Sequence, residues 1–122
     1  MATSVAIVGL GRVGLPLALS FADRGLKVVG IDKDPSVLQA ISERRMPFHE
    51  TGTQELLERV VESGRLELSE RLLAAAEADH IVLTLGTPAF SHIEIDTSQI
   101  RSALDELLPL FRPGQSIILR ST

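Results

Sequence analysis

Ser4-Val5-Ala6-Ile7-Val8 runs directly into Gly9-Leu10-Gly11-Arg12-Val13-Gly14 and, after an apolar stretch, into Lys27-Val28-Val29-Gly30-Ile31-Asp32. After Ser4, the residues Val5-Ala6-Ile7-Val8 form an unbroken aliphatic run, the pattern of a strand buried on both faces. Between the glycines and Lys27, the residues Leu15, Leu17, Ala18, Leu19, Phe21 and Ala22 cover a helix. Pro16 falls near its first turn, where a missing N–H costs little, and Gly25 is placed to stop it. Strand, glycine-rich turn, helix, second strand and terminal acid follow in the order of the dinucleotide-binding pattern.

Each part of that pattern has a physical reason. Gly9 lets the chain leave the strand sharply. Gly11 lets a pyrophosphate lie against bare backbone, and Gly14 lets the helix sit close on the sheet. The first turn of the helix offers unpaired N–H groups and the positive end of its dipole to a phosphate. Asp32 stands about twenty residues past the glycines, where a carboxylate can accept ribose hydroxyls. Arg12 either reaches the pyrophosphate as a charged fork or lies solvated on the first turn.

The chain has 122 residues, enough for one domain with a core. Its core is expected to be aliphatic, since 44% of residues are hydrophobic and only 3% aromatic. A net charge of -4 without a basic block argues against a nucleic-acid surface. Cysteine is absent, so the chain carries neither a disulfide frame nor a thiolate nucleophile, in keeping with a reducing cytoplasm. The start, Met1-Ala2-Thr3-Ser4, has no basic leader pattern, and no apolar run approaches membrane-spanning length. His49, His80 and His92 are scattered and lack metal-ligand spacing, so no metal site is expected.

The rest of the chain alternates between helix and strand. Asp34-Pro35 reads as an N-cap followed by proline at the first helical position, opening a helix that ends near Arg44. Thr51 and Gln54 have capping-box spacing before Leu56, Leu57, Val60 and Val61, and Gly64 closes that helix. Leu66-Glu67-Leu68 predicts a short strand, and the alanine-rich stretch 70–78 predicts a helix. His80–Leu85 is a buried strand bounded by Gly86-Thr87-Pro88. Asp96 and Gln99 again have cap spacing ahead of Ile100, Ala103, Leu104, Leu107 and Leu108. Arg112–Gln115 is a turn and 116–120 the last strand. The predicted fold is α/β: a doubly wound parallel sheet of the Rossmann type, with ligand groups at the carboxyl ends of the strands. Those ends carry Gly9, Asp32, Thr87 and Ser121-Thr122.

At these strand ends the chain resembles the UDP-glucose and GDP-mannose dehydrogenases, including the UDP-N-acetylmannosamine dehydrogenases. The resemblance rests on Gly9-Leu10-Gly11-Arg12-Val13-Gly14-Leu15-Pro16, Gly30-Ile31-Asp32, Pro47 with Glu50 and Gly52, Ala78-Asp79, Gly86-Thr87-Pro88, Asp96 with Ser98, and Ser121-Thr122. It implies oxidation of the C6 alcohol of a nucleotide sugar to a carboxylate with two NAD in turn. It implies that Thr87 and Ser121 line the cofactor site with Gly9, Gly11, Arg12, Val13, Gly14, Asp32 and Lys33, and that Thr122 faces the reacting centre. The family's catalytic cysteine, lysine and asparagine have no counterpart here. Residues 1–122 then form the N-terminal NAD-binding domain of a longer, homodimeric cytoplasmic enzyme, inactive without its substrate domains. The chain departs from the family's usual pattern at Arg12, where an aromatic residue is common, at Thr51, where proline is common, and at Ser36, where a basic residue is frequent.

Two other readings stay open. The glycine turn and Asp32 also resemble the nucleotide-sensing regulatory modules of potassium channels and transporters, which Arg12 suits better. Those modules usually carry a Gly-Asp-Ala-like turn after the third strand, where this chain has Leu66-Glu67-Leu68-Ser69-Glu70. Another NAD-dependent hydroxyacid or phosphogluconate dehydrogenase is the third.

Overall fold

A computed structural model describes residues 3–48, 51–84 and 98–120. The described elements are β1 (Ser4–Val8), α1 (Gly14–Asp23), β2 (Lys27–Ile31), α2 (Pro35–Ser42), α3 (Thr53–Ser63), β3 (Leu66–Ser69), β4 (His80–Leu83), α4 (Ser98–Leu107) and β5 (Ser116–Leu119). All strand pairs are parallel, in the order β3-β2-β1-β4-β5. β1 is central, with Val8 opposite Ile31 of β2 on one side and Leu83 of β4 on the other. The chain winds outward through β2 and β3, then crosses back past β1 to β4. That reversal leaves a crevice at the carboxyl ends of β1 and β4.

The alternation of side chains along β1 divides the core in two. Val5 and Ile7 face α1, α2 and α3, packing with Leu15, Leu19, Ile41, Leu57 and Val60. Ala6 and Val8 face the other layer, with Ala75, Ala78, Ala103 and Leu107. Leu10 is buried under the glycine turn, and Gly30 makes room for it: a Cβ there would stand 3.1 Å from both Leu10 methyls. β5 is an outer strand whose Ile118 and Leu119 are exposed; Leu108 and Phe111, between α4 and β5 in sequence, are exposed too.

Asp34 caps α2 as expected, its carboxylate accepting from the Ser36 N–H (2.9 Å) and hydroxyl (2.7 Å). α3 begins differently from the expected capping box. Gly52 takes the N-cap position at φ +83, with no side-chain cap. Gln54 instead turns back to the preceding loop, donating to the Arg44 carbonyl (2.6 Å) and accepting from the Met46 N–H (3.1 Å). The stretch 70–78 also differs: it holds only a short 3-10 segment, Leu72–Ala75. The link from β3 to β4 must pass β2 and β1, about 14 Å of sheet at the usual strand spacing, while returning to the opposite end of the strands. An extended path with one tight 3-10 turn, rising about 2.0 Å per residue, covers that distance better than an α-helix. The cap expected at Asp96 lies outside the described residues.

Candidate functional site

A cavity of about 730 Å³ opens at the carboxyl ends of β1, β2, β3 and β4. Its floor is the glycine turn, 8–13, and one wall is Ile31, Asp32, Lys33 and Asp34. The opposite side comes from residues 70–73, Thr84, and one face of α4 formed by Ser102, Ala103 and Glu106.

The three glycines of the turn do different things. Gly9 has φ +99, a conformation that L side chains rarely adopt. At Gly14 a Cβ would fall 1.7 Å from the Gly9 carbonyl oxygen and 2.5 Å from the Thr84 hydroxyl. Both are therefore required by the fold itself. Gly11 is exposed, and a Cβ there would meet nothing within 4 Å. The fold leaves room for a Cβ at Gly11, and Gly11 itself lines the cavity.

Backbone donors belong to the residues lining that space. Among the described residues, the backbone N–H groups of Gly11, Arg12 and Val13 have no acceptor. α1 starts without a side-chain cap and with no acid in its first turn. Unpaired amides and an uncompensated helix N-terminus together suit an anion such as a pyrophosphate. Arg12 stands beside them, its guanidinium carbon 5.3 Å from the centre of the Phe48 ring, within cation–π range. Neither Arg12 nor Lys33 forms an ion pair among the described residues.

Asp32 is half-buried and both its oxygens are engaged: Oδ2 accepts from the Leu10 N–H (2.8 Å), Oδ1 from the Asp34 N–H (2.9 Å). Each carboxylate oxygen keeps a second lone-pair direction, so the group remains an acceptor for ribose hydroxyls while held rigidly. Asp34 sits next along the wall; its bonds from Ser36, side chain first, hold its carboxyl below the usual carboxylate range.

The structure thus brings Gly9, Gly11, Arg12, Val13, Gly14, Asp32 and Lys33 to one end of the sheet; all but Gly14 line the cavity. Thr87, Ser121 and Thr122 lie outside the described residues, as do His49, His92 and Glu50. His80 stands at the start of β4, at the other end of the sheet, with Nδ1 2.6 Å from the Ser116 hydroxyl. No group of His, Cys, Asp and Glu that could hold a metal ion occurs among the described residues, and no described helix is long and apolar enough to cross a membrane.

Thr84 escaped the reading of the sequence. It is buried at the end of β4, and its hydroxyl lies 3.0 Å from the Val8 carbonyl and 2.7 Å from the Gly9 carbonyl. The available signal was a lone hydroxyl closing the aliphatic run Ile81-Val82-Leu83. Arg71, Ser102 and Glu106 reach the cavity by packing of elements distant in sequence, which no local pattern announces.

Comparison with known proteins agrees with this geometry. The profile of the UDP-glucose/GDP-mannose dehydrogenase family, NAD binding domain, matches residues 3–122. A UDP-N-acetyl-D-mannosamine dehydrogenase of Methanococcus maripaludis is 30% identical over 122 residues, covering 97% of this chain and 28% of the relative. The native structure of a UDP-N-acetyl-mannosamine dehydrogenase from Staphylococcus aureus superposes with TM-score 0.88 at 31% identity, over 98% of this chain and 29% of that one. A UDP-glucose dehydrogenase structure from Pyrobaculum islandicum gives TM-score 0.89 at 30% identity, over 100% of this chain and 29% of that one. The chain therefore spans under a third of the length of these relatives. With the parallel sheet, the anion-receptive turn and the family profile in agreement, the chain belongs to the UDP-glucose/GDP-mannose dehydrogenase family as its NAD binding domain, and its cofactor is NAD.

Proposed function

We propose that residues 1–122 are the cofactor-holding part of a longer cytoplasmic dehydrogenase that oxidises the C6 alcohol of a UDP-sugar, UDP-N-acetylmannosamine or UDP-glucose, to the acid with two NAD. The observation that carries the site is Gly11, a glycine that the fold does not need, set between unpaired amides and a cavity ending at Asp32. In this reading the N–H groups of Gly11, Arg12 and Val13 receive the pyrophosphate, with the Arg12 guanidinium adding charge. Gly9 and Gly14 shape the turn, and Asp32, flanked by Lys33, takes the adenosine ribose. Thr87 and Ser121 complete the cofactor site, and Thr122 hydrogen-bonds at the reacting centre; for these three the support is the family pattern of Gly86-Thr87-Pro88 and Ser121-Thr122.

NAD supplies the hydride acceptor; this chain binds and orients it. Taking an alcohol to an acid passes through an aldehyde, and holding that aldehyde calls for a nucleophile, most readily a thiolate. The chain has no cysteine. Proximity between sugar and cofactor, worth roughly 7–11 kcal/mol, also needs a sugar-binding surface. The 122 residues alone are thus expected to bind NAD without turning it over. NADH absorbance with each UDP-sugar tests this. The longer protein should reduce two NAD per sugar. Turnover by residues 1–122 alone, or a longer protein silent on every nucleotide sugar, contradicts the proposal.

A further inference from the structure

The Gly9–Leu10 peptide group, which opens the phosphate turn, is held at both ends by side chains. Its carbonyl oxygen lies 2.7 Å from the Thr84 hydroxyl, and its N–H donates to Asp32 Oδ2 at 2.8 Å. Thr84 follows β4 and Asp32 follows β2, the two neighbours of β1 in the sheet. One peptide plane is therefore clamped from both sides of its own strand. The Thr84 hydroxyl occupies a notch that exists only because residues 9 and 14 lack side chains: a Cβ at Gly9 would be 2.9 Å from it, and one at Gly14 2.5 Å.

Building on the cofactor site assigned above, we propose that Thr84 is a positioning residue for the dinucleotide's pyrophosphate. A free peptide plane can rotate and swing its carbonyl oxygen, the negative end of its dipole, toward the anion. The Thr84 hydroxyl gives that oxygen a partner inside the sheet, so the turn presents N–H groups to the ligand. A part-buried carbonyl deprived of this donor loses the preference for pointing inward. In this arrangement Thr84 acts through the backbone of Gly9 and Leu10.

The test compares ligands with and without phosphates on the 122-residue chain. Wild type, Thr84→Val, Thr84→Ala and Thr84→Ser are titrated with NAD by calorimetry and with adenosine by NMR, and thermal unfolding is recorded for each. Thr84→Val is expected to weaken NAD binding about ten-fold, the scale of one hydrogen bond whose buried partner is left unpaired. Adenosine affinity should be unchanged, and Thr84→Ser should restore NAD binding. Hydrogen exchange at the Leu10 amide should quicken in Thr84→Val and return to the wild-type rate in Thr84→Ser. Wild-type NAD affinity in Thr84→Val overturns the proposal. So does equal weakening of NAD and adenosine, or failure of serine to rescue. If valine prevents folding, Thr84→Ala carries the same comparison. A wild-type chain that binds no NAD at all defeats the site assignment beneath the proposal, and that result is read before any variant is made.

Discussion

Replacing Gly11 by valine separates what the fold needs from what the ligand needs. A Cβ at this position meets no heavy atom within 4 Å, and its φ lies outside the left-handed region. The folded chain therefore has room for the added Cβ, and the unfolded chain loses freedom, which contributes about 0.4–1 kcal/mol in favour of folding. Branching at Cβ offsets part of that gain near the start of α1. Net stability should stay within about 1 kcal/mol of wild type. Ligand binding should move much further. In the proposed site the branched side chain takes the space next to the N–H groups of Arg12 and Val13, which have no acceptor among the described residues, so a pyrophosphate bound there would lose two charge-assisted hydrogen bonds. At about 1.5–3 kcal/mol each, the loss is about 3–6 kcal/mol, or roughly 10²–10⁴-fold in Kd. Urea unfolding and NAD calorimetry on the same preparation measure both quantities. Gly14→Ala is the control: its Cβ would sit 1.7 Å from the Gly9 oxygen, so it should unfold the turn and lower stability by at least the 1–3 kcal/mol typical of overpacking. A Gly11→Val protein that is folded and binds NAD with wild-type affinity would refute the placement of the pyrophosphate.

Asp32→Ala should cost about 1–3 kcal/mol of NAD affinity, and wild type should prefer NAD to NADP, because a carboxylate repels a 2′-phosphate; equal affinities by calorimetry contradict this. Arg12→Ala should weaken NAD binding by a few-fold and flatten its salt dependence, and Phe48→Leu should share part of that loss; an unchanged salt slope removes Arg12 from the site. Asp79 accepts from the Ser4 N–H (3.0 Å) and hydroxyl, which hold its carboxyl below the ordinary value of 3.8. A depressed folded-state pKa contributes stability that is present above the unfolded value and lost as pH falls through the folded one. The unfolding midpoint should thus drop as pH is lowered below about 4, and Asp79→Asn should flatten that acid limb; an identical limb in the variant contradicts the assignment.

The fold was legible where one residue does one local job. The aliphatic run 5–8, the glycine spacing, Asp34 before Pro35 and Gly64 after α3 each act within a few residues, and the structure places an element boundary at each. Legibility failed where distance in space decided. Thr51 and Gln54 have the spacing of a capping box, but Gly52 between them takes the left-handed cap, freeing Gln54 to tie Arg44 to Met46. The stretch 70–78 is rich in helix-forming alanine, yet it must cross two strands of the sheet, and span overrules propensity. Gly9, Gly11, Gly14 and Asp32 follow a fixed spacing readable in the sequence, and the structure brings them to one end of the sheet. Thr84 carries no such mark, because its partners are 75 and 76 residues away.

The clamp on the Gly9–Leu10 peptide has a consequence for the order in which the protein gains its properties. The glycine motif is complete in the polypeptide once Gly14 has been made. The turn is held only after β1 has paired with β2 through Asp32 and with β4 through Thr84, contacts of long sequence separation that close late and slowly. Binding competence therefore belongs to the finished sheet. During synthesis, a chain that has not reached Thr84 carries the motif without a settled turn. Cofactor added to a refolding chain should then engage the native state alone, raising its stability by mass action and leaving the rate of reaching it unchanged.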